Sequence, residues 1–294
     1  MITATKSPVV LILTGALFIS FSGVWVTWAD VHPLVSAFYR VFFGALFLVT
    51  ICALKRDFQP LTPNQWLLVL LAGISFGGDL ICWHASIGFI GPGLATILGN
   101  FQVFLLTGYA IFILHERCTL KFIISLPLAF FGISMIIGLD FSSLPHTDRT
   151  GIFLGLATAA FYAVFILILR RLQASLATDS IFFSLMLCSA STALVLGIGM
   201  VGLNQSFIIT SGYTLGSLIC LGLFSQVIGW LLITNALPMT SPAIAGLILL
   251  LQPALAFCWD VLIFNRPTEL LNWLGVAVAL IAIYLGMAGS RKRN

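Results

Sequence analysis

Ten apolar stretches, each long enough to cross a bilayer, constrain this chain more than any other feature. A spanning helix needs about 20 predominantly apolar residues. Runs of that kind cover residues 8–28, 35–54, 66–89, 93–114, 120–138, 151–170, 180–201, 213–236, 242–264 and 270–289. Turn-forming residues stand between most of them: Asp30 to Pro33, Pro60 to Pro63, Gly91 to Gly93, Pro238 to Pro242, and Arg266 to Pro267. Only 7% of residues are charged and 60% are hydrophobic. A soluble domain carries about 25% charged residues, too many for this composition to supply. The expected fold class is therefore an all-α membrane protein of ten transmembrane helices. No stretch is polar enough to form a separate soluble domain, and the apolar run at the N-terminus is expected to stay as the first span.

Net charge is +4. The Lys and Arg residues behind it stand at helix ends, so no nucleic-acid partner is expected. Cys52, Cys82, Cys118, Cys188, Cys220 and Cys258 are scattered along apolar segments without a CxxC or Cys/His cluster. They read as small hydrophobes, and neither a metal nor another cofactor is expected.

The longest polar stretch, DFSSLPHTDRT at 140–150, divides ten spans into five and five. The expected organisation is a first repeat over 1–139, a polar connector over 140–150 and a second repeat over 151–294. Asp79 four residues before Trp83 is echoed by Gln226 four residues before Trp230, and ATILGNFQ (95–102) aligns with AGLILLLQ (245–252), pairing Gln102 with Gln252. With the N-terminus in the cytoplasm, Lys6, Lys55, Arg56, Arg117, Lys121, Arg170, Arg171, Arg291, Lys292 and Arg293 fall on the cytoplasmic side. Arg149 and Arg266 fall opposite, and Arg40 lies inside the second span. That bias follows the positive-inside rule and places both termini in the cytoplasm. Five spans per repeat is an odd number, so the second repeat enters the membrane inverted. Inverted repeats are a transporter architecture with its site near the midplane.

Three segments carry a resemblance. SAFYRVFFGALFL (36–48) has an Arg early in the second span, ILHERCTL (113–120) has an acidic–basic pair after the fourth, and LATAAFYAVFILILRR (156–171) opens the second half. Together with the topology, these resemble the drug/metabolite transporter superfamily, and its EamA-type exporters in particular. NRPTEL (265–270) departs from the pattern, standing where the family often has a Gly-Glu pair. The resemblance implies export of small metabolites or amino acids through a cavity lined by spans 1, 3, 4, 6, 8 and 9. It leaves the cargo open.

An ionisable group in hydrocarbon is costly and marks a pathway or a paired site. Asp79 is the deepest acid, and either lines the pathway or joins two helices. Residues four apart share a helix face, so Asp79 with Trp83 and Gln226 with Trp230 are each expected to present a polar group and an indole to a central site. Asn100, Gln102, Tyr162, Gln252, Trp25 and His84 complete the expected substrate-binding set. Gln252 precedes Pro253, which frees a backbone carbonyl. Arg40 lies roughly 9 Å into its span at 1.5 Å per residue. Asp30 and Asp260 have similar depth, so the three are expected to form a structural ion-pair group. GIGMVG (197–202) matches a dinucleotide fingerprint but follows no strand, and Asn204-Gln205-Ser206 matters only in a eukaryotic secretory membrane.

No catalytic motif and no phosphate-binding loop occurs. The expected function is secondary transport, with export, of zwitterionic or neutral, partly apolar solutes such as amino acids by alternating access. The alternative is an intramembrane enzyme or a non-transporting scaffold. The expected partners are a small-molecule substrate, the lipid bilayer and protons as coupling ion. A monomer in a bacterial inner membrane is expected.

Overall fold

The computed structural model describes residues 8–115, 117–137, 145–176, 181–236, 249–288 and 290–291. Twelve α-helices follow one another among them: α1 (Pro8–Ser20), α2 (Ser22–Ala29), α3 (Pro33–Lys55), α4 (Pro63–Gly99), α5 (Gln102–Phe112), α6 (Leu120–Ile137), α7 (His146–Ser175), α8 (Ile181–Gly202), α9 (Gly212–Cys220), α10 (Trp230–Ala236), α11 (Leu251–Phe264) and α12 (Leu270–Met287). A π-helical segment, Leu221–Gly229, joins α9 to α10. Two residues of extended chain, Arg117–Cys118, pair antiparallel with Ser290–Arg291.

Local chemistry sets the helix starts. Thr62 and Gln65 form a reciprocal capping box ahead of α4, with Pro63 at its first position, where a missing N–H does no harm. His32 caps α3 by accepting the Leu34 N–H at 3.2 Å, again with a proline next.

Six helical stretches are long and apolar enough to cross a membrane: Pro8–Ala29, Pro33–Lys55, Pro63–Phe112, His146–Ser175, Ile181–Gly202 and Gly212–Ala236. Three shorter apolar helices accompany them. The first stretch is broken by a turn at Phe21. Pro63–Phe112, at 50 residues, would be about 75 Å long if straight, more than twice the hydrocarbon thickness. It folds back at Gly91, whose φ of 79° and ψ of 161° lie in a region that is essentially glycine-only. A Cβ placed on Gly99 would lie 3.9 Å from the Trp83 ring, sixteen residues earlier. A continuous helix would separate the two by about 24 Å. Residues 66–89 and 93–114, expected as two spans, therefore run past each other.

α7 lies antiparallel along the first part of α4. Gln65 Nε2 donates to the Ser175 carbonyl at 2.6 Å, Thr158 Oγ1 to the Asp79 carbonyl at 3.4 Å, and Ser86 Oγ to the Gly151 carbonyl at 2.8 Å. Those three bonds mark one end, the middle and the other end of the bundle. Asp79 is the middle level. His146–Thr150, expected in the polar connector, are the first residues of α7, while 140–144 lie outside the described residues. So do Lys6, Lys292 and Arg293 from the charge count, and 242–248 of the expected ninth span.

The two halves resemble each other in packing among the described residues. α7 covers α4 as α1 lies on the π segment and α10, and α5 meets α7 as α11 meets α1. Left-handed residues coincide too. Arg56 (φ 53°) and Asn204 (φ 52°) follow α3 and α8, and His115 (φ 55°) and Asn265 (φ 53°) stand 150 positions apart after α5 and α11. Non-glycine residues seldom adopt positive φ, so two matched pairs carry weight. Apolar clusters around Leu98, Phe257 and Ile283 and around Phe38, Leu80, Phe165 and Leu196 fill the interior. Leu46, Ile74, Phe130, Ile198 and Ile281 remain exposed on the outside, as a lipid-facing surface requires.

Candidate functional site: a cavity around Asp79

A cavity of about 400 Å³ enters the bundle from the Ser175 end and reaches the Asp79 level. Its wall is built by helical spacing. From α7 come Thr158, Tyr162, Ile166 and Arg170, each four residues after the last; from α4 come Phe76, Asp79, Leu80 and Trp83. Thr96, Asn100, Gln102 and Val103 line it beyond the Gly91 turn, and Ser22, Trp230, Thr234 and Gln252 close the circle. Arg170 is an exposed residue of the wall and marks the mouth. Volumes of 300–1,000 Å³ with apolar walls and few polar groups are typical of small-molecule sites.

Asp79 is 6% exposed. Among the described residues none donates a hydrogen bond to its carboxylate. Arg40, 7% exposed, also lines the cavity. The two charges interact electrostatically, but they are not within ion-pair distance. The guanidinium carbon of Arg40 lies 5.5 Å from the centre of the Trp83 ring. Across the cavity, Tyr162 meets Trp230 edge-on with centroids 6.4 Å apart. Asn100 Nδ2 donates to the Thr96 carbonyl at 2.8 Å, and the buried Gln102 Oε1 has no hydrogen-bond partner among the described residues.

Seven expected site residues thus come together around one cavity: Asp79, Trp83, Asn100, Gln102, Tyr162, Trp230 and Gln252. Three do not. Gln226 is buried behind Arg40, accepting its Nε–H at 3.2 Å. Gln226 stands four positions before Trp230, but its amide is taken up by Arg40, and of the two only Trp230 lines the cavity. His84 sits five positions after Asp79 and so faces away. It is 2% exposed and pairs with Ser36 Oγ at 2.7 Å. Trp25 lies towards the closed end, where Gly23 touches Pro92, in a group with Phe21, Trp28 and Phe224.

The expected grouping of Arg40 with Asp30 and Asp260 is corrected by the structure. Asp30 is an exposed left-handed residue at the end of α2. Asp260 pairs with Arg266 at 3.0 Å. Equal depth does not ensure contact, because helix rotation points these side chains in different directions. The Asp260–Arg266 pair forms a clasp at the end opposite the mouth. Arg266 Nη1 also donates to the Ile90 carbonyl at 2.5 Å, and Asp260 Oδ2 accepts the Gly93 N–H at 3.1 Å. The turn at Gly91 is thereby tied to the end of α11. A Cβ on Gly91 would stand 2.6 Å from Asp260 Oδ2, so the clasp needs glycine there twice over.

Residues that the sequence did not single out are Ser22, Thr96, Thr158, Thr234 and Arg170 on the wall, and Arg266 in the clasp. The four-residue ladder from Thr158 to Arg170 was visible in the sequence. Arg170 was counted there for sidedness alone.

Comparisons with known proteins agree with this architecture. A search of curated proteins finds no match. A solved structure described as "Crystal structure of protein" superposes with a TM-score of 0.65 at 16% identity, covering 97% of this chain and 98% of that one. Identity that low speaks for the fold alone. The model of the EamA-like transporter family matches residues 6–138 and 149–287. With both halves of the sequence matched, the chain belongs to the EamA-like transporter family, membrane transporters of the drug/metabolite type.

Proposed function

We propose that this protein is a secondary exporter of small zwitterionic or neutral, partly apolar solutes, working by alternating access around the Asp79 cavity. The observation that supports this most is Asp79 itself. A carboxylate at the middle level of an apolar bundle, facing a cavity and without a donor, is expensive unless a ligand or proton satisfies it. Aromatic and amide groups around it suit an ammonium on an apolar body.

Ten spans follow if the stretch folded at Gly91 supplies two and the three shorter helices one each. Repeats over 1–139 and 151–294 then enter the membrane in opposite senses, with both termini and the Arg170 mouth in the cytoplasm. Asp79 binds the cargo ammonium or exchanges a proton, and Trp83, Tyr162, Trp230, Asn100, Gln102 and Gln252 shape the remainder. The Asp260–Arg266 clasp seals the outer end in this conformation. The protein acts as a monomer in a bacterial inner membrane, with protons as the coupling ion.

Reconstituted vesicles test this with a panel of apolar amino acids, their amides and the corresponding amines, with and without a pH gradient. Saturable flux of solutes that join an ammonium to an apolar body, faster with the gradient, is expected. No flux of any member contradicts it. Sidedness is checked in a cysteine-free background: Thr147→Cys should react from outside and Ser290→Cys should not.

A further inference from the structure

Arg40 is held from behind. Its Nε–H bonds Gln226 Oε1 at 3.2 Å, and Gln226 Nε2 in turn bonds Ser189 Oγ at 3.2 Å. Gln226 is 3% exposed and Ser189 is fully buried. The amide is therefore fixed in orientation, with its oxygen towards Arg40 and its nitrogen towards Ser189.

Close backbone approach makes this brace possible. A Cβ on Gly44 would lie 2.5 Å from Gln226 Cγ, and one on Gly222 would lie 2.7 Å from Phe43 Cβ and 3.1 Å from the Arg40 carbonyl. Side chains at either glycine would push the π segment off α3. The close approach of the two backbones leaves Gln226 within reach of Arg40.

A guanidinium has five N–H donors in a planar fork. Gln226 takes the one on Nε. Among the described residues none accepts from the terminal nitrogens, although Arg40 lines the cavity. Asp79 lies near enough to interact electrostatically but not to pair. The terminal edge of a guanidinium matches the two oxygens of a carboxylate. Trp83 supports the plane of the fork from one side.

On the reading that this cavity carries cargo, we propose that Arg40 binds the carboxylate of a zwitterionic cargo, with Gln226 and Ser189 as the positioning residues that aim it. Asp79 then meets the ammonium of the same molecule. The two charges stay apart because the ligand stands between them. A cargo with both charges satisfies each buried group, whereas an amine leaves Arg40 without an anion.

The test compares matched pairs in reconstituted vesicles: leucine against isoamylamine, and phenylalanine against phenethylamine. Wild-type protein should favour the amino acid about tenfold or more, the equivalent of about 1.4 kcal/mol. Arg40→Lys keeps a charge but loses the fork, and should remove most of that preference. Gln226→Leu removes the brace while filling its space, and should weaken amino-acid transport roughly fivefold while leaving amine transport near wild type. Melting temperature and monodispersity in detergent show whether each variant folds; if Arg40→Lys does not, Gln226→Leu and Ser189→Ala carry the test. Equal losses for acid and amine in a folded variant would overturn the role of Arg40 and leave the transport function standing, as would wild-type protein that prefers the amines. Wild-type protein that moves neither member of either pair overturns both.

Discussion

Two acid–arginine pairs are buried in this bundle, and they are arranged in opposite ways. Asp260 and Arg266 touch at 3.0 Å, and each makes one further hydrogen bond, Asp260 with the Gly93 N–H and Arg266 with the Ile90 carbonyl. Asp79 and Arg40 face the same cavity without touching, and each keeps polar atoms that no described residue satisfies. Removing charges from water is unfavourable by several kcal/mol per ion, and a buried pair offsets this only with close geometry and further hydrogen bonds. The first pair meets that condition within the protein. The second does not meet it among the described residues. Satisfaction separates the two, since the acid is buried in both: the paired acid ties the Gly91 turn to α11, and on the proposed function the unpaired one receives cargo.

The contrast predicts which substitutions unfold the protein and which disable it. The largest loss of stability should come from breaking the clasp. Asp260→Ala or Arg266→Ala should each lower stability by about 3 kcal/mol, because each orphans a charge. Replacing both should lower it by less than the two single losses combined. Thermal unfolding in detergent measures this, and wild-type melting in both single variants would remove the distinction. By contrast Asp79→Asn, which removes an unsatisfied charge, should shift stability by less than about 1 kcal/mol.

Next in size is Gly91→Ala, which forces a Cβ into a glycine-only conformation and towards Asp260. A loss of about 2 kcal/mol is expected. Chemical denaturation would detect it, and a neutral result would show that the turn can relax without the clasp. On the open side, Trp230→Ala removes the partner of Tyr162. Its effect should be on cargo: affinity for the preferred solute falls roughly tenfold, with bulkier solutes accepted better. Unchanged selectivity would place that indole outside the binding surface. The smallest effect belongs to Arg170→Ala at the exposed mouth. At low salt its initial rates should be at most about twofold below wild type, and the difference should vanish at high salt, where the field of the arginine is screened.

The fold was legible because its main constraint is coarse. Long apolar runs and proline and glycine punctuation are one-dimensional signals, and the fold-back at Gly91 stood as a turn in the sequence. Asp79 stood out for the same reason, as a lone acid in an apolar run, and it lines the cavity. Tyr162 and Trp83 follow from helical spacing once a site is suspected. The partners of Arg40 were not legible. Depth along a span can be counted, but rotation about its axis cannot, and Asp260 points to Arg266 while Asp30 stays exposed at a helix end. Gln226 was misplaced for a different reason. Its spacing to Trp230 gives a shared helix face but not the reach of each side chain, and the Gln226 amide is taken up by Arg40 and Ser189.

The most direct test of the whole account is transport by Asp79→Asn in reconstituted vesicles, measured across pH beside the wild type. Asparagine keeps the size and a hydrogen-bonding carbonyl but can neither hold a negative charge nor exchange a proton. The variant should fold, keep its melting temperature and show at most about 1% of wild-type flux at any pH. Normal flux with a normal pH profile in the folded variant would contradict the assignment of Asp79 as the charge at the centre of the transport site.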